Sequence, residues 1–223
     1  MNVTEAVTSR RSVRQFLDRP VDKAVLERVL ETAQRAPSGG NTQPWNAVVV
    51  GGDELARITA AIKAKTATAP MGENMEYEIY PKDLEGRYEE QRRAVGRDMF
   101  ESIGLAREDG AGRVAQMAKN WDSFGAPVQL FTYTKKYMGP PQWSDMGMWL
   151  QTVMLLLREE GLDSCSQEIW AMYGTQMREL LGISDEYVFF CGMAIGYRDP
   201  DAPINNFDVT RVPISDAIEF RGL

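Results

Sequence analysis

The sequence contains no histidine and only two cysteines, Cys165 and Cys191. The absence of histidine excludes serine and cysteine hydrolases that depend on a histidine base. With only two well-separated cysteines, most zinc sites are excluded too. Two cysteines are also too few for a disulfide framework, so we expect both thiols to be reduced. The remaining sources of chemistry are carboxylates, hydroxyls, backbone dipoles and a bound cofactor, of which a cofactor is the strongest option.

Long apolar runs and an excess of positive charge are also missing. No window of about 20 uninterrupted apolar residues occurs, which predicts that no helix spans a membrane. The first residues, Met1–Glu5, lack the basic and then apolar order of a signal peptide, so we expect a cytoplasmic protein. The formal net charge of −7 argues against non-specific binding of nucleic acid, which depends on neutralising phosphates.

Apolar periodicity predicts helices and strands along 223 residues with no linker that would divide them, so we expect one domain over residues 1–223. Pro20 suits the first turn of the first helix and Asp53 the N-cap of the second. The predicted helices cover 20–35, 53–65, 88–103, 107–121, 143–160, 173–181 and 215–220, and the predicted strands cover 45–50, 128–133 and 187–196.

Two of these regions have unusual composition. Helix 143–160 is apolar on every face, which predicts burial all round, most easily at the centre of a domain or of a dimer. Residues 69–124 are rich in charge and in spaced aromatics, which predicts a helical excursion over the core rather than a part of it.

Two short N-terminal motifs carry the candidate chemistry. Residues 10–14 read Arg-Arg-Ser-Val-Arg, and guanidinium groups in a cluster suit a phosphate or another polyoxygen anion. Residues 36–45 read Ala-Pro-Ser-Gly-Gly-Asn-Thr-Gln-Pro-Trp, a turn-forming run that allows backbone N–H groups to approach a flat ligand closely. Taken alone, the first could be the charged turn of a surface helix and the second a plain connection between elements.

The pair of motifs, in this order and about one helix apart, resembles the FMN site of the nitroreductase family. The resemblance continues at residues 161–167 (Gly-Leu-Asp-Ser-Cys-Ser-Gln) and at Arg211, and it is weakest from about residue 65 to 125. Phe207 and Asp208 stand where many relatives carry a second basic residue before the late arginine. The resemblance implies an α+β fold with a central, mostly antiparallel sheet flanked by helices, in an intertwined homodimer.

The resemblance also implies how a tightly bound FMN is held at the dimer interface. Arg10 and Arg211 would bind its phosphate, Arg11 and Ser12 would contact phosphate or ribityl oxygens, and Arg14 would lie towards the pyrimidine edge of the ring. Four residues of the partner subunit would meet the ring: Pro37, Ser38, Gly39 and Asn41. Three backbone N–H groups would face the N5 edge: those around Ser166, Gln167 and Glu168.

The activity implied by the resemblance is an FMN-dependent NAD(P)H oxidoreductase that reduces nitroaromatic compounds. It would work by ping-pong, two-electron hydride transfer through flavin N5, with no side chain as an essential acid or base. The 69–124 excursion would cover the pocket as a lid, and its aromatics would sort substrates. A dehalogenase, an enone or quinone reductase on the same scaffold, and a non-enzymatic flavin-binding protein stay open as alternatives.

Two further patterns have simpler interpretations. Residues 110–115 match the G-x-G-x-x-A dinucleotide fingerprint, but a charged helical stretch precedes them instead of a strand, so the match is interpreted as chance. Cys165 has no basic neighbour in the sequence, and a small buried filler is favoured over a redox thiol.

Overall fold

The computed structural model describes all 223 residues, and its centre is a four-stranded sheet in which every pair of neighbouring strands is antiparallel. The strand order is β1-β2-β4-β3, with β2 and β4 in the middle. The strands are β1 (Asn46–Gly51), β2 (Val128–Lys135), β3 (Asp163–Gln167) and β4 (Tyr187–Gly196). β2 and β4 are almost wholly buried, as expected for apolar strands that are covered on both faces.

Helices cover both faces of the sheet. One face carries a core cluster that includes Leu26, Trp149 and Met193, and the other carries a cluster that includes Ile58, Trp170 and Met177. The α-helices are α1 (Val3–Ser9), α2 (Lys23–Ala33), α3 (Gly52–Thr68), α4 (Gly86–Ser102), α5 (Gly110–Ala118), α6 (Pro140–Glu159) and α7 (Gly174–Leu181). The expected α+β class, with a sheet flanked by helices, is confirmed.

Several helix boundaries differ from the prediction for local reasons. α2 begins at Lys23, not at Pro20, because the Asp22 side chain accepts a hydrogen bond from the backbone N–H of Ala24 and caps the helix. α3 begins at Gly52 after an extended Gly51, so Asp53 lies inside the first turn and does not cap it. The helix expected at 215–220 is only a 3₁₀ turn, Ile214–Asp216.

Helix α6 is not buried on every side within the chain, so that prediction was wrong for the single subunit. Trp149 and Val153 face the core, whereas Met148 on the opposite side is 39% exposed and Leu155 is half-buried. A helix packs one side against a sheet, and the outer side of α6 is left partly exposed within this chain.

The G-x-G-x-x-A match opens α5, which Asp109 caps and which no strand precedes, so its interpretation as a chance match is confirmed. None of the helices combines the length and the apolar character needed to cross a bilayer.

Candidate functional site

The basic N-terminal motif runs along the edge of the sheet. Ser12 forms a parallel bridge with Ser164 of β3, and the backbone N–H of Val13 donates to the Ser164 carbonyl at 3.1 Å. Val13 itself is fully buried and packs with Cys165 and Ala194. Because the edge strand and one buried valine fix this segment, its arginines are held along β3, with Arg14 towards the end of the strand.

Arg10 is a cation without a partner in the chain. Its side chain makes no hydrogen bond or ion pair, although it is half-buried. Burial, and then the nearby charge of Arg211, lower the pKa of the Arg10 guanidinium. Two guanidiniums this close, with no carboxylate to balance them, fit the donor set that a phosphate needs. The residues present therefore fit the phosphate group of a flavin mononucleotide.

The other residues of the motif have partners within the chain. The Arg11 guanidinium donates to the Phe207 carbonyl at 2.7 Å and lies 3.7 Å from the Asp208 carboxylate. Arg14 donates from its backbone N–H to Asn205 Oδ1 at 2.8 Å and from its guanidinium to the Ser12 carbonyl at 3.2 Å. Asn205, which is buried, thus positions Arg14, and no local pattern in the sequence indicates that contact.

A cavity of about 910 Å³ opens at the end of β3, beneath α4 and α5. Four of the predicted site residues line it: Arg14, Ser166, Gln167 and Glu168. The excursion therefore does lie over this pocket. A volume of this size is at the upper end of ordinary ligand sites.

Two polar side chains at the end of β3 have distinct environments. Partial desolvation at the cavity wall raises the pKa of the Glu168 carboxyl from its ordinary value, although the side chain is still exposed. Gln167 is buried, and its Nε2 donates to the Asn120 carbonyl at 2.9 Å. This hydrogen bond ties the floor of the cavity to the segment that follows α5.

The loop at residues 37–44 lies apart from this cavity, so the chain alone does not bring the two predicted halves of the site together. Gly40, Asn41 and Gln43 all have positive φ angles, which non-glycine residues adopt only when surrounding contacts hold them. The backbone N–H of Gly39 donates to the carboxylate oxygens of buried Asp145 at 3.2 and 3.3 Å. Pro37, Gly39 and Asn41 are exposed, and Ser38 is half-buried.

A second cavity of about 460 Å³ lies between α4 and the C-terminal segment, and Arg211 lines it. Tyr80, Arg92 and Val95 border both cavities, so the two are neighbours.

Cys165 is fully buried in a small apolar cluster, and burial raises the pKa of its thiol. The fold does bring basic neighbours, Arg14 and Arg10, close to the sulfur, which the sequence did not show. Burial changes the pKa of the thiol more than these two arginine charges do. The prediction of a filler side chain, not a reactive thiolate, is consistent with this environment.

This is an α+β protein with a site for a sizeable anionic ligand. The site combines arginines along the edge of the antiparallel sheet with a large cavity at the end of β3. The model of the Nitroreductase family matches residues 7–197. The chain is 31% identical to a 4-nitrobenzoate reductase of Pseudomonas putida over 216 residues, which are 97% of this chain and 94% of the relative. The chain belongs to the Nitroreductase family.

Solved structures agree with this assignment. The FMN- and NADPH-dependent nitroreductase NfnB from Sphigopyxis sp. strain HMH is 50% identical, with all of both chains covered and a TM-score of 0.98. The FMN-dependent nitroreductase NfnB from Mycobacterium smegmatis, solved in complex with NADPH, is 26% identical, with 98% of this chain and 97% of that chain covered and a TM-score of 0.93. The expected nitroreductase-like fold is thereby confirmed.

Proposed function

We propose that this protein is an FMN-dependent NAD(P)H oxidoreductase that reduces nitroaromatic compounds. The observation that carries the proposal is the unbalanced pair Arg10 and Arg211, together with Arg14 of the same motif, which lines the cavity at the end of β3. Relatives described as 4-nitrobenzoate and nitrobenzene reductases, and solved relatives described as dependent on FMN and NADPH, support the substrate class and both cofactors.

Each predicted residue has a role in holding the flavin. Arg10 and Arg211 bind the phosphate, Arg11 and Ser12 reach phosphate or ribityl oxygens, and Arg14 places a positive charge at the pyrimidine edge. The backbone N–H groups of residues 166–168 face the N5 edge. FMN supplies the hydride-transfer chemistry when it is bound, while the protein contributes position and electrostatics.

Because loop 37–41 does not reach the cavity of its own chain, we propose that a second copy of the chain supplies it. Pro37, Ser38, Gly39 and Asn41 of that copy then complete the flavin site. Two observations support an intertwined homodimer: the loop is exposed although its backbone is bonded to buried Asp145, and Met148 and Leu155 on the outer face of α6 are partly uncovered. Asp145 is the residue that fixes the loop backbone for this purpose.

The excursion contributes the substrate-facing wall. Met117 on α5 lines the cavity and is partly exposed, so a flat nitroaromatic can pack against its thioether. Both cysteines are free and buried, which suits a reducing compartment, and we propose that the protein works in the cytoplasm.

The purified protein tests this function directly. We expect it to be yellow, to release FMN when denatured, and under anaerobic conditions to oxidise more than one equivalent of NADPH or NADH per flavin only when a nitroaromatic is added. A colourless protein that takes up no FMN would contradict the proposal. Flavin that bleaches with NADPH but is not reoxidised by nitroaromatics would favour a dehalogenase or an enone or quinone reductase instead. A yellow protein that no nicotinamide reduces would favour a flavin-binding role.

A further inference from the structure

The wall of the large cavity is strongly basic, although the whole chain carries a net charge of −7. Six arginines line it against two glutamates, Glu101 and Glu168. The six are Arg14, Arg92, Arg93, Arg97, Arg107 and Arg113. Five of them belong to the 69–124 excursion and not to the N-terminal motif that serves the flavin. A single flavin phosphate does not account for them.

These excursion arginines fall into two groups. Arg93 and Arg97 form ion pairs with Glu89 and Asp98, at 2.6 and 2.9 Å. Arg92, Arg107 and Arg113 form no ion pair and donate no side-chain hydrogen bond. The second group therefore presents guanidinium donors whose only available acceptors are solvent or a ligand.

Aromatic rings hold two of the unpaired guanidiniums in place. The Arg113 guanidinium lies 4.0 Å from the centroid of the buried Phe100 ring, and that of Arg92 lies 4.7 Å from the centroid of Tyr80. The N–H groups of a guanidinium lie in its own plane, parallel to the ring on which it stacks. They therefore stay free to bind an anion at the edge of the guanidinium. The flat outer surface of such a stack also accepts a heteroaromatic ring.

Guanidinium donors next to flat stacking surfaces match the adenosine end of a phosphorylated dinucleotide. We propose that Arg92 and Arg113 bind the phosphate groups of that end of NADPH, including the 2′-phosphate, and so select NADPH over NADH. The inference rests on the proposed function, because it assigns the reductant of that same site. A phosphate dianion is favoured over the single carboxylate of a nitrobenzoate because two unpaired arginines, on α4 and α5, face one cavity.

Equilibrium binding to the flavin-loaded protein tests the proposal without using activity. The probes are adenosine 2′,5′-bisphosphate and adenosine 5′-monophosphate, measured by titration calorimetry. We expect the wild type to bind the bisphosphate at least about tenfold more tightly, and the Arg92→Gln/Arg113→Gln variant to lose that difference. The matched control is Arg93→Gln/Arg97→Gln, which removes the same charge from the same wall. This variant should keep the preference for the bisphosphate. The proposal would be overturned if the wild type bound both probes equally well. It would also be overturned if the two variants lost the preference for the bisphosphate to the same extent.

Steady-state rates distinguish the phosphate from a substrate carboxylate. In the Arg92→Gln/Arg113→Gln variant, kcat/KM for NADPH should fall at least about tenfold more than that for NADH, with the ratio of 4-nitrobenzoate to nitrobenzene reduction unchanged. If the ratio of 4-nitrobenzoate to nitrobenzene reduction fell while the preference for NADPH was unchanged, the arginines would bind the substrate carboxylate and the proposal would be overturned. If no nitroaromatic is reduced but the bisphosphate preference depends on these arginines, the proposed function fails and this inference stands.

Discussion

Arg10 carries a charge that nothing in the chain neutralises, and Arg211 lies close enough to lower its pKa further. A phosphate between the two removes this repulsion, so the flavin should stabilise the pair. Replacing Arg10 by glutamine removes a charge-assisted contact, which is worth about 1.5–3 kcal/mol. We therefore expect Arg10→Gln to weaken FMN binding about 10- to 100-fold, measured by flavin fluorescence on reconstitution of the apoprotein.

Arg28→Gln is the control for this measurement, because Arg28 lies on α2 and pairs with Glu160 at 3.1 Å, away from the site. It should bind FMN as the wild type does. An Arg10→Gln protein with wild-type FMN affinity would refute the assignment of Arg10 to the phosphate.

Glu168 should make stability depend on pH. Partial desolvation raises the pKa of its carboxyl in the folded protein, so folding favours the neutral form more than the unfolded chain does. The contribution of Glu168 to the free energy of unfolding is therefore largest below the unfolded pKa, about 4.3. It falls as the pH rises through the higher folded pKa. We expect Glu168→Gln to have a higher Tm than the wild type at pH 8 and the same Tm at pH 4, measured by thermal unfolding of the apoproteins. Equal Tm differences at both pH values would show that desolvation does not raise the pKa of Glu168 in the folded protein.

Individual site residues could be predicted from the sequence only where they cluster in it. The arginines at 10–14 stand out within five residues of an acidic chain, and the structure does place them together at the sheet edge. Asp145 could not be found in this way, because it is one acidic residue in an apolar helix and its partner Gly39 lies 106 residues away. Long-range hydrogen bonds of this kind depend on the fold and leave no local pattern.

The edge strand β3 is tied to its neighbours by one buried carboxylate. Asp163 accepts hydrogen bonds from Arg158 at 2.8 Å and from Arg198 at 2.6 and 2.7 Å, and Arg198 also donates to the Ser9 carbonyl at the end of α1. Removing one partner of a buried ion pair leaves the other charge uncompensated. We expect Asp163→Ala to lower the free energy of unfolding by about 3–5 kcal/mol, measured by urea denaturation.

The control for Asp163→Ala is Glu27→Ala, which breaks the exposed pair with Lys23. It should leave the unfolding free energy unchanged within error. If the two variants were equally stable, the network around Asp163 would not be what fixes β3.

Helix α5 offers a matched pair of positions for testing the lid. Met117 lines the cavity and is 43% exposed, whereas Val114 on the same helix is 71% exposed and does not line it. Met117→Trp should fill part of the cavity and lower kcat/KM for bulky nitroaromatics about tenfold more than for nitrobenzene. Val114→Trp should leave relative rates unchanged. Parallel losses across all substrates in Met117→Trp would contradict a sorting role for the excursion.

Elements with strong periodicity were predicted well, and weakly patterned ones were not. The apolar run 187–196 gave β4 with its observed ends. β3 reads Asp-Ser-Cys-Ser-Gln and has no apolar alternation, so it was not among the predicted strands; it forms because β4 offers it a pairing edge. α1 was missed, although Asn2 and Glu5 form a capping box that marks its start.

The two predicted halves of the flavin site lie apart within the chain, so the account requires two copies. The outer face of α6 is the surface that the second copy should cover, and the exposed Met148 lies on it. Met148→Glu would bury a charge in that interface, at a high cost in free energy. We expect the wild type to be a dimer by light scattering, and Met148→Glu to be a monomer that has lost FMN.

Val114→Glu is the control, because it places the same charge on an exposed position of α5. It should remain a dimer with FMN bound. A monomeric wild type, or a dimeric Met148→Glu protein with full FMN content, would contradict the shared site.

At the level of the whole molecule, the fold class and the family could be predicted from two motifs and their order. What covers the outer face of α6 could not be predicted from the sequence. A helix that is apolar all round predicts burial, but it does not say whether the same chain or another copy provides it. One domain over residues 1–223 stays a prediction.

The central claim is that this chain holds FMN and passes electrons from a nicotinamide to a nitroaromatic. The most direct measurement is anaerobic stopped-flow absorbance of the purified protein in two successive mixes. NADPH should bleach the flavin, and nitrobenzene, added after the nicotinamide is exhausted, should restore the oxidised spectrum with one equivalent consumed per two-electron turnover. Flavin that nitrobenzene leaves bleached would contradict the claim.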